Sequence, residues 1–185
     1  MRHLYFIWIF IMNRIFLRII FLMLSFISAH SFSDQVEITI TAKVIAKTCT
    51  ISSGSSDFLV TLAPGNFRDA AIGVPFSDSS FKIDLEDCSS NINTAHVTFS
   101  AESDPFMPNL LKIASDADSD ATGVAIGLYD SNKKNIDIRS NSTAFIINHA
   151  SAINSLHFSA AYLKTNDKAL PGKVKSFTYF EISYD

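Results

Sequence analysis

The sequence predicts an all-β domain, an antiparallel sandwich or barrel, behind an export signal. Three observations carry that reading. Short runs with apolar residues at every second position recur along the chain, and clusters of Gly, Pro, Asn, Asp and Ser separate them. Beyond the N-terminal run, no stretch of ten or more residues holds an apolar period of 3.6. The roughly 150 residues that follow that run fit one domain of this class. No internal repeat, low-complexity tract or linker marks a second one.

The first element is the leader. Residues 4–12 (LYFIWIFIM) and 15–27 (IFLRIIFLMLSFI) are apolar, Arg2, Arg14 and Arg18 are basic, and no acid precedes Asp34. A basic flank before an apolar core that ends in small and polar residues reads as a secretory signal over residues 1–33. Its charge-free core, Ile19–Ile27, is far shorter than the ~20 residues that span a bilayer. A retained anchor spanning both runs would bury Asn13, Arg14 and Arg18 in hydrocarbon at a few kcal/mol each. Cleavage after Ser31 or Ser33 suits the small residues there. Met12 offers an alternative start that gives a signal of ordinary length.

Next comes DQVEITITAKVIAKTC, residues 34–49. Val36, Ile38, Ile40, Ala42 and Val44 are apolar, while Glu37, Thr39, Thr41 and Lys43 between them are polar. That is a strand with one dry face. Strand-like runs follow at Phe58–Leu62, Phe81–Leu85, His96–Ser100, Gly123–Tyr129, Phe145–Ile147, Leu156–Leu163 and Phe177–Tyr184. The last run repeats the opening pattern, with Thr178, Phe180, Ile182 and Tyr184 on one face. An amphipathic strand therefore stands at each end of the exported chain, and a sandwich can pair them within itself.

Cys49 and Cys88 are the only cysteines. After export an even pair reads as a disulfide, and closing a loop of about 40 residues stabilises by roughly 3–4 kcal/mol. Without CxxC, redox chemistry is not indicated. Three of the 15 Lys+Arg precede Asp34, so the remainder carries 12 against 18 Asp+Glu, a net of −6. Nothing in that balance suggests nucleic acid or an anionic membrane as partner.

No constellation of catalytic or cofactor chemistry stands out. Asp116, Asp118 and Asp120 begin like a calcium loop, but its sixth position is Ala121 and its twelfth Gly127, so a solvated acidic loop is expected. His96, His149 and His157 lack metal-ligand spacing, and GxSxG is absent. No metal, no cofactor and no enzymatic activity are expected. Phe106 and Met107, between Pro105 and Pro108, are expected to cover an end of the sandwich, with an exposed contact as the alternative reading.

Several pieces, in order, carry a resemblance. These are the alternating segment ending at Cys49; Phe81, Ile83, Leu85 and Cys88 as F-x-I-x-L-x-x-C; and GVAIGLYDSNKKNIDI at 123–138. The last is Phe158, Ala160, Tyr162, Pro171, Gly172, Phe180, Ile182 and Tyr184 as F-x-A-x-Y…P-G…F-x-I-x-Y. Over residues 34–185 the chain resembles the pilin subunits of chaperone–usher fimbriae, above all minor or adaptor pilins of the type 1 kind.

The resemblance implies an incomplete immunoglobulin-like sandwich lacking its last strand. Residues 34–47 would be a donor extension and 48–185 the pilin domain. Val36, Ile38, Ile40, Ala42 and Val44 would fill a neighbouring subunit's groove. Gly172, Thr178, Phe180, Ile182 and Tyr184 would edge the groove that a periplasmic chaperone fills first and a neighbour later. Exchange would occur at an outer-membrane usher, on the way to a cell-surface fimbrium that supports adhesion, with any host receptor unnamed. Donor segments of this kind often carry Gly where Ala42 stands. A rival reading keeps residues 36–46 as the domain's own edge strand, in a self-complete secreted sandwich that binds a ligand as an adhesin-like module.

Overall fold

The structure is a computed structural model that describes residues 36–44, 49–115, 117–139 and 142–185. The chain divides into two units, Met1–Ser33 and Asp34–Asp185, and every described residue belongs to the second. The expected signal and the alternative start at Met12 lie outside the described residues.

The described residues form strands without helix. They are β1 (Val36–Val44), β2 (Thr50–Ile51), β3 (Asp57–Leu62), β4 (Pro75–Glu86), β5 (Thr94–Ser100), β6 (Val124–Tyr129), β7 (Asn135–Ile136), β8 (Ser142–Ile146), β9 (Ile153–Lys164) and β10 (Lys175–Tyr184). They build two five-stranded sheets, ordered β3-β1-β10-β5-β8 and β2-β4-β9-β6-β7. Every pairing between strands is antiparallel except β1 with β10.

Alternation explains why the two sheets close on each other. In β10, Ser176, Thr178, Phe180 and Ile182 are buried, and the residues between them are exposed. In β4, Phe81, Ile83 and Leu85 turn inward the same way. Period-2 patterns of this kind give each sheet one apolar face, and two such faces packed together make the sandwich core. Its centre is aromatic. Phe158 stacks on Phe81 with ring centroids 5.4 Å apart and takes the edge of Phe99 at 5.1 Å and of Phe145 at 5.2 Å. Such pairs add about 0.5–1.5 kcal/mol each beyond the area they bury.

A second, smaller core lies on the far side of the second sheet. All six residues of β6 are buried. Leu110 and Met107, from the excursion between β5 and β6, pack on Ala125, Tyr129, Ala161 and Leu163, the outward set of β6 and β9. Leu111 ties that excursion to β6 by two backbone bonds with Ile126, of 2.8 and 3.1 Å. Burial on both faces is why the run at 124–129 is almost continuously apolar. The expectation for Phe106 and Met107 needs correcting in one half. Met107 covers the sheet, while Phe106 points outward and is 65% exposed, because a turn separates them from a common face.

Cys49 and Cys88 are joined by a disulfide across 39 residues. The two cysteines flank the short ladder in which Thr50 pairs with Glu86. The acidic loop is partly described: the Asp120 carboxylate accepts the Ala117 N–H at 2.9 Å. Among the described residues no group of three His, Cys, Asp or Glu is placed to hold a metal ion. His96 meets the Asp185 carboxylate at 2.8 Å, and the Asp185 N–H donates to the Thr94 carbonyl at 3.0 Å, so the last residue is fastened to β5.

Candidate functional site: a groove between the third and last strands

β3 and β10 do not pair with each other. β1 lies between them, antiparallel to β3 and parallel to β10. Without β1 the first sheet would carry two raw edges over a slot opening straight onto the core. Such an edge is a template for another strand.

The slot's walls come from alternation. β10 presents Ser176, Thr178, Phe180 and Ile182 to it, all buried. β3 presents Val60 and Leu62, also buried, with Phe58 packed against the core. The two polar members of the β10 set are satisfied by backbone. The Ser176 hydroxyl donates to the Lys112 carbonyl at 2.7 Å, and the Thr178 hydroxyl to the Ser100 carbonyl at 3.1 Å. The slot is therefore effectively apolar, since a buried hydroxyl with a partner carries no desolvation penalty.

The register of β1 in the slot is explicit. Val36 pairs with Leu62; Ile38 with Val60 and Ser176; Ile40 with Phe58 and Thr178; Ala42 with Phe180; Val44 with Ile182. Ile38 is fully buried. The five residues whose dry face is expected in a neighbour's groove are thus paired, in the isolated chain, with positions of the buried sets of this chain's own β3 and β10. The predicted groove edge is brought together in part. Thr178, Phe180 and Ile182 line the slot; Tyr184 is half-buried at its end. Gly172 precedes β10 rather than lying in it.

Gly172 has a local reason to be glycine. A Cβ there would stand 2.4 Å from the Ala121 nitrogen and 2.4 Å from the Asp120 carbonyl carbon. The chain at 119–121 runs against 172–173, with the Ala121 N–H donating to the Lys173 carbonyl at 2.8 Å. Only a residue without a side chain permits that approach.

Past the Val36–Leu62 pair the slot continues as an open cavity of about 160 Å³, lined by Pro64, Gly65, Phe76, Tyr162, Pro171 and Gly172 among others. The Tyr162 hydroxyl is buried there without a hydrogen-bond partner, and burial pushes its pKa up to about 12. β1 leaves this end of the slot unfilled.

Sequence reasoning singled out β10 but not the opposite wall, Phe58, Val60 and Leu62. The alternation in FLVTL was the available signal. It also missed Ser176, which extends the inward set of β10 by one residue, because serine does not register as apolar.

Two facing sheets with a slot between β3 and β10 that β1 occupies fit the immunoglobulin-like sandwich of a pilin. The comparisons agree: the model of the family described as "Fimbrial protein" matches residues 36–185, and the chain belongs to that family, the structural, non-enzymatic pilins of chaperone–usher fimbriae. It is 32% identical over 150 residues to the fimbrial subunit type 1 of Salmonella typhimurium, covering 77% of this chain and 79% of that one. It is 29% identical over 157 residues to long polar fimbria protein A of Salmonella typhimurium, covering 83% and 85%. Among solved structures, a type I fimbria protein and antigen of Burkholderia pseudomallei matches with a TM-score of 0.56 at 25% identity, over 81% of this chain and 97% of that one. The P pilus rod subunit PapA shares the fold, with a TM-score of 0.61 at 19% identity, over 75% and 100%.

Proposed function

We propose that this pilin polymerises by exchanging its first strand: β1 leaves its own slot and fills that of a neighbouring subunit, whose own strand is passed on in turn. One observation carries the reading. The slot between β3 and β10 is closed by a terminal segment alone, so the same segment from another molecule meets the same walls. Backbone pairing supplies affinity and alternate side chains supply register. A slip of one residue would turn Thr39, Thr41 and Lys43 inward, which fixes that register. The cavity lined by Gly65, Tyr162 and Gly172 gives an incoming strand a place to start while β1 still occupies the rest.

In this reading residues 1–33 are removed on export, 34–47 are the donor extension and 48–185 the receiving domain. A periplasmic chaperone holds the slot before the outer-membrane usher joins subunits, and the fibre emerges at the cell surface. A minor or adaptor subunit is the narrower form of the proposal.

A second reading has a specific observation behind it. β1 sits in its own slot, as in a self-complete secreted sandwich. Solubility of the lone chain does not separate the two. Exchange does. Mature chain is mixed with a labelled peptide of residues 34–46, at rising temperature and with and without chaperone, and uptake of the label is followed. Strand donation predicts slow uptake with release of β1 and, at high concentration, multimers that resist detergent. A chain that takes up no peptide, and that stays folded at unchanged stability when residues 34–47 are deleted, belongs to the self-complete class.

A further inference from the structure

We propose that the Tyr162 hydroxyl selects the incoming strand, by donating a hydrogen bond to an acceptor side chain two residues before the Val36 position; in a second copy of this chain that side chain is Asp34. The proposal rests on the strand-donation reading and supplies what that reading leaves open, the chemistry that the cavity beyond Val36 accepts.

Two ladders point to the same place. Val36 pairs with Leu62 on β3, and the parallel ladder with β10 sets Glu37 against Lys175. Extended to the inward residue before Val36, the first ladder reaches Pro64 and the second Gly172, and both of these line the cavity of about 160 Å³. Side chains of a strand alternate between its faces, so in a donor strand the residue two before Val36 shares the face of Val36, Ile38 and Ile40. A donor that keeps the register of β1 therefore brings that residue to the cavity. In this chain's segment it is a carboxylate, where the rest of the dry face is apolar. Asp34 itself lies outside the described residues.

The cavity has one side chain to meet it. Of the described residues that line it, only Tyr162 carries a polar side-chain atom, and that hydroxyl is buried without a partner. The ring is held in place. It stacks on Phe76 with centroids 5.5 Å apart, and Gly65 lies so near that a Cβ there would stand 2.9 Å from a ring carbon. A hydrogen-bond donor on a fixed ring loses little freedom when it is used. A buried hydroxyl left unpaired destabilises until an acceptor reaches it. Burial keeps the phenol protonated up to about pH 12, so it has a proton to donate throughout the physiological range.

An acidic residue suits this place better than the apolar one that the walls alone would favour. A phenol donating to a carboxylate makes a charge-assisted bond, roughly twice as strong as a neutral one. The cavity is open on one side, so the second carboxylate oxygen keeps its contact with solvent. A water molecule competing for the hydroxyl would need about two to four polar partners, and the lining side chains offer one. A donor with Leu at this position would fill the space but leave the hydroxyl unpaired. The strand that fits best is thus one with this chain's own sequence, Asp34 ahead of Val36.

The test sets two peptides against each other on two proteins. Acetylated peptides of residues 34–46, one unchanged and one with Asp34→Leu, carry different labels and are offered in equal amounts to the full mature chain or to its Tyr162→Phe variant. Release of β1 affects both peptides alike, so the ratio taken up reports the cavity alone. That ratio, unchanged over Asp34→Leu, should be about tenfold higher in the mature chain than in Tyr162→Phe. A peptide with Asp34→Asn, which keeps an acceptor, should retain part of the preference. With carbon-13 in the Asp34 carboxylate, its infrared stretch should shift on uptake by the mature chain and not by the variant, which a purely structural role of the hydroxyl would not produce. A ratio that is the same in both proteins overturns the pairing and leaves strand donation standing. No uptake of any peptide by either protein overturns both.

Discussion

Ala42 stands directly opposite Phe180 in the parallel ladder between β1 and β10. Phe180 is among the largest fully buried side chains of the domain. The smallest residue of the apolar set of β1 thus stands, by backbone register, opposite the largest buried one of the slot. Enlarging position 42 should force the pair apart. Ala42→Leu is expected to lower the stability of the isolated chain by about 1–3 kcal/mol, the usual cost of overpacking. It should also abolish incorporation into fibres. Denaturant unfolding and a count of incorporated subunits check both; a variant that assembles normally contradicts the tight fit.

Ile38 is the fully buried residue through which β1 engages both walls, between Val60 and Ser176. Ile38→Ala should cost about 2–5 kcal/mol if the strand sits in its own slot as described. The readout is the midpoint of guanidinium unfolding. A loss below 0.5 kcal/mol, within the usual range for surface substitutions, would mean that β1 does not contribute to the stability of the lone chain.

Gly172→Ala places a methyl group 2.4 Å from the backbone of 120–121. Backbone cannot yield as a side-chain tip can, so the strip at 119–121 must lift from Lys173. We expect a loss of about 1–3 kcal/mol and faster amide exchange at Ala121 and Lys173, whose backbone bonds hold the strip. Unchanged exchange at both amides would refute the steric reason for this glycine.

Tyr162 gives a pH signature. Its folded pKa is raised to about 12 by burial, from an unfolded value of 10.0. The folded state therefore holds the phenolic proton more tightly than the unfolded chain. That stabilisation is complete below pH 10 and is lost as pH rises toward 12. Tyr162→Phe removes a buried hydroxyl that lacks a partner. It should leave stability at pH 7 unchanged or higher, and flatten the decline between pH 10 and 12. Melting temperatures across pH 8–12 decide; identical alkaline limbs in the two proteins would place that hydroxyl in water.

Much of the fold was legible because a half-buried strand writes its burial in alternate letters. The runs at 58–62, 81–85, 96–100, 156–163 and 177–184 each fall inside a strand of the structure, at most three residues longer at either end except at one place. β4 begins at Pro75, six residues before Phe81, because the ladder shifts register between Phe76 and Ser79, with Ser77 at φ 50°. That bulge breaks the alternation which sequence reading depends on. β2, of two residues, is too short to carry a period. The slot itself was half visible. β1 and β10 announced themselves by pattern, but their being neighbours in parallel is a fact of topology that no local signal encodes. Phe106 was read as cover beside Met107, which is cover, yet its ring is exposed. One backbone turn, set by the buried Asp104 carboxylate that accepts both their N–H groups, gives two adjacent apolar residues opposite fates.

The fastening of Asp185 to β5 bears on how the domain closes. β10 is the middle strand of the first sheet, and the partners on its two sides, β1 and β5, come far earlier in the chain. Each must find β10 across a long stretch of sequence. Pairings over such separations are slow to close, and edges that wait for a partner are sticky. The order of strands in the sheet thus makes its centre a late event in folding.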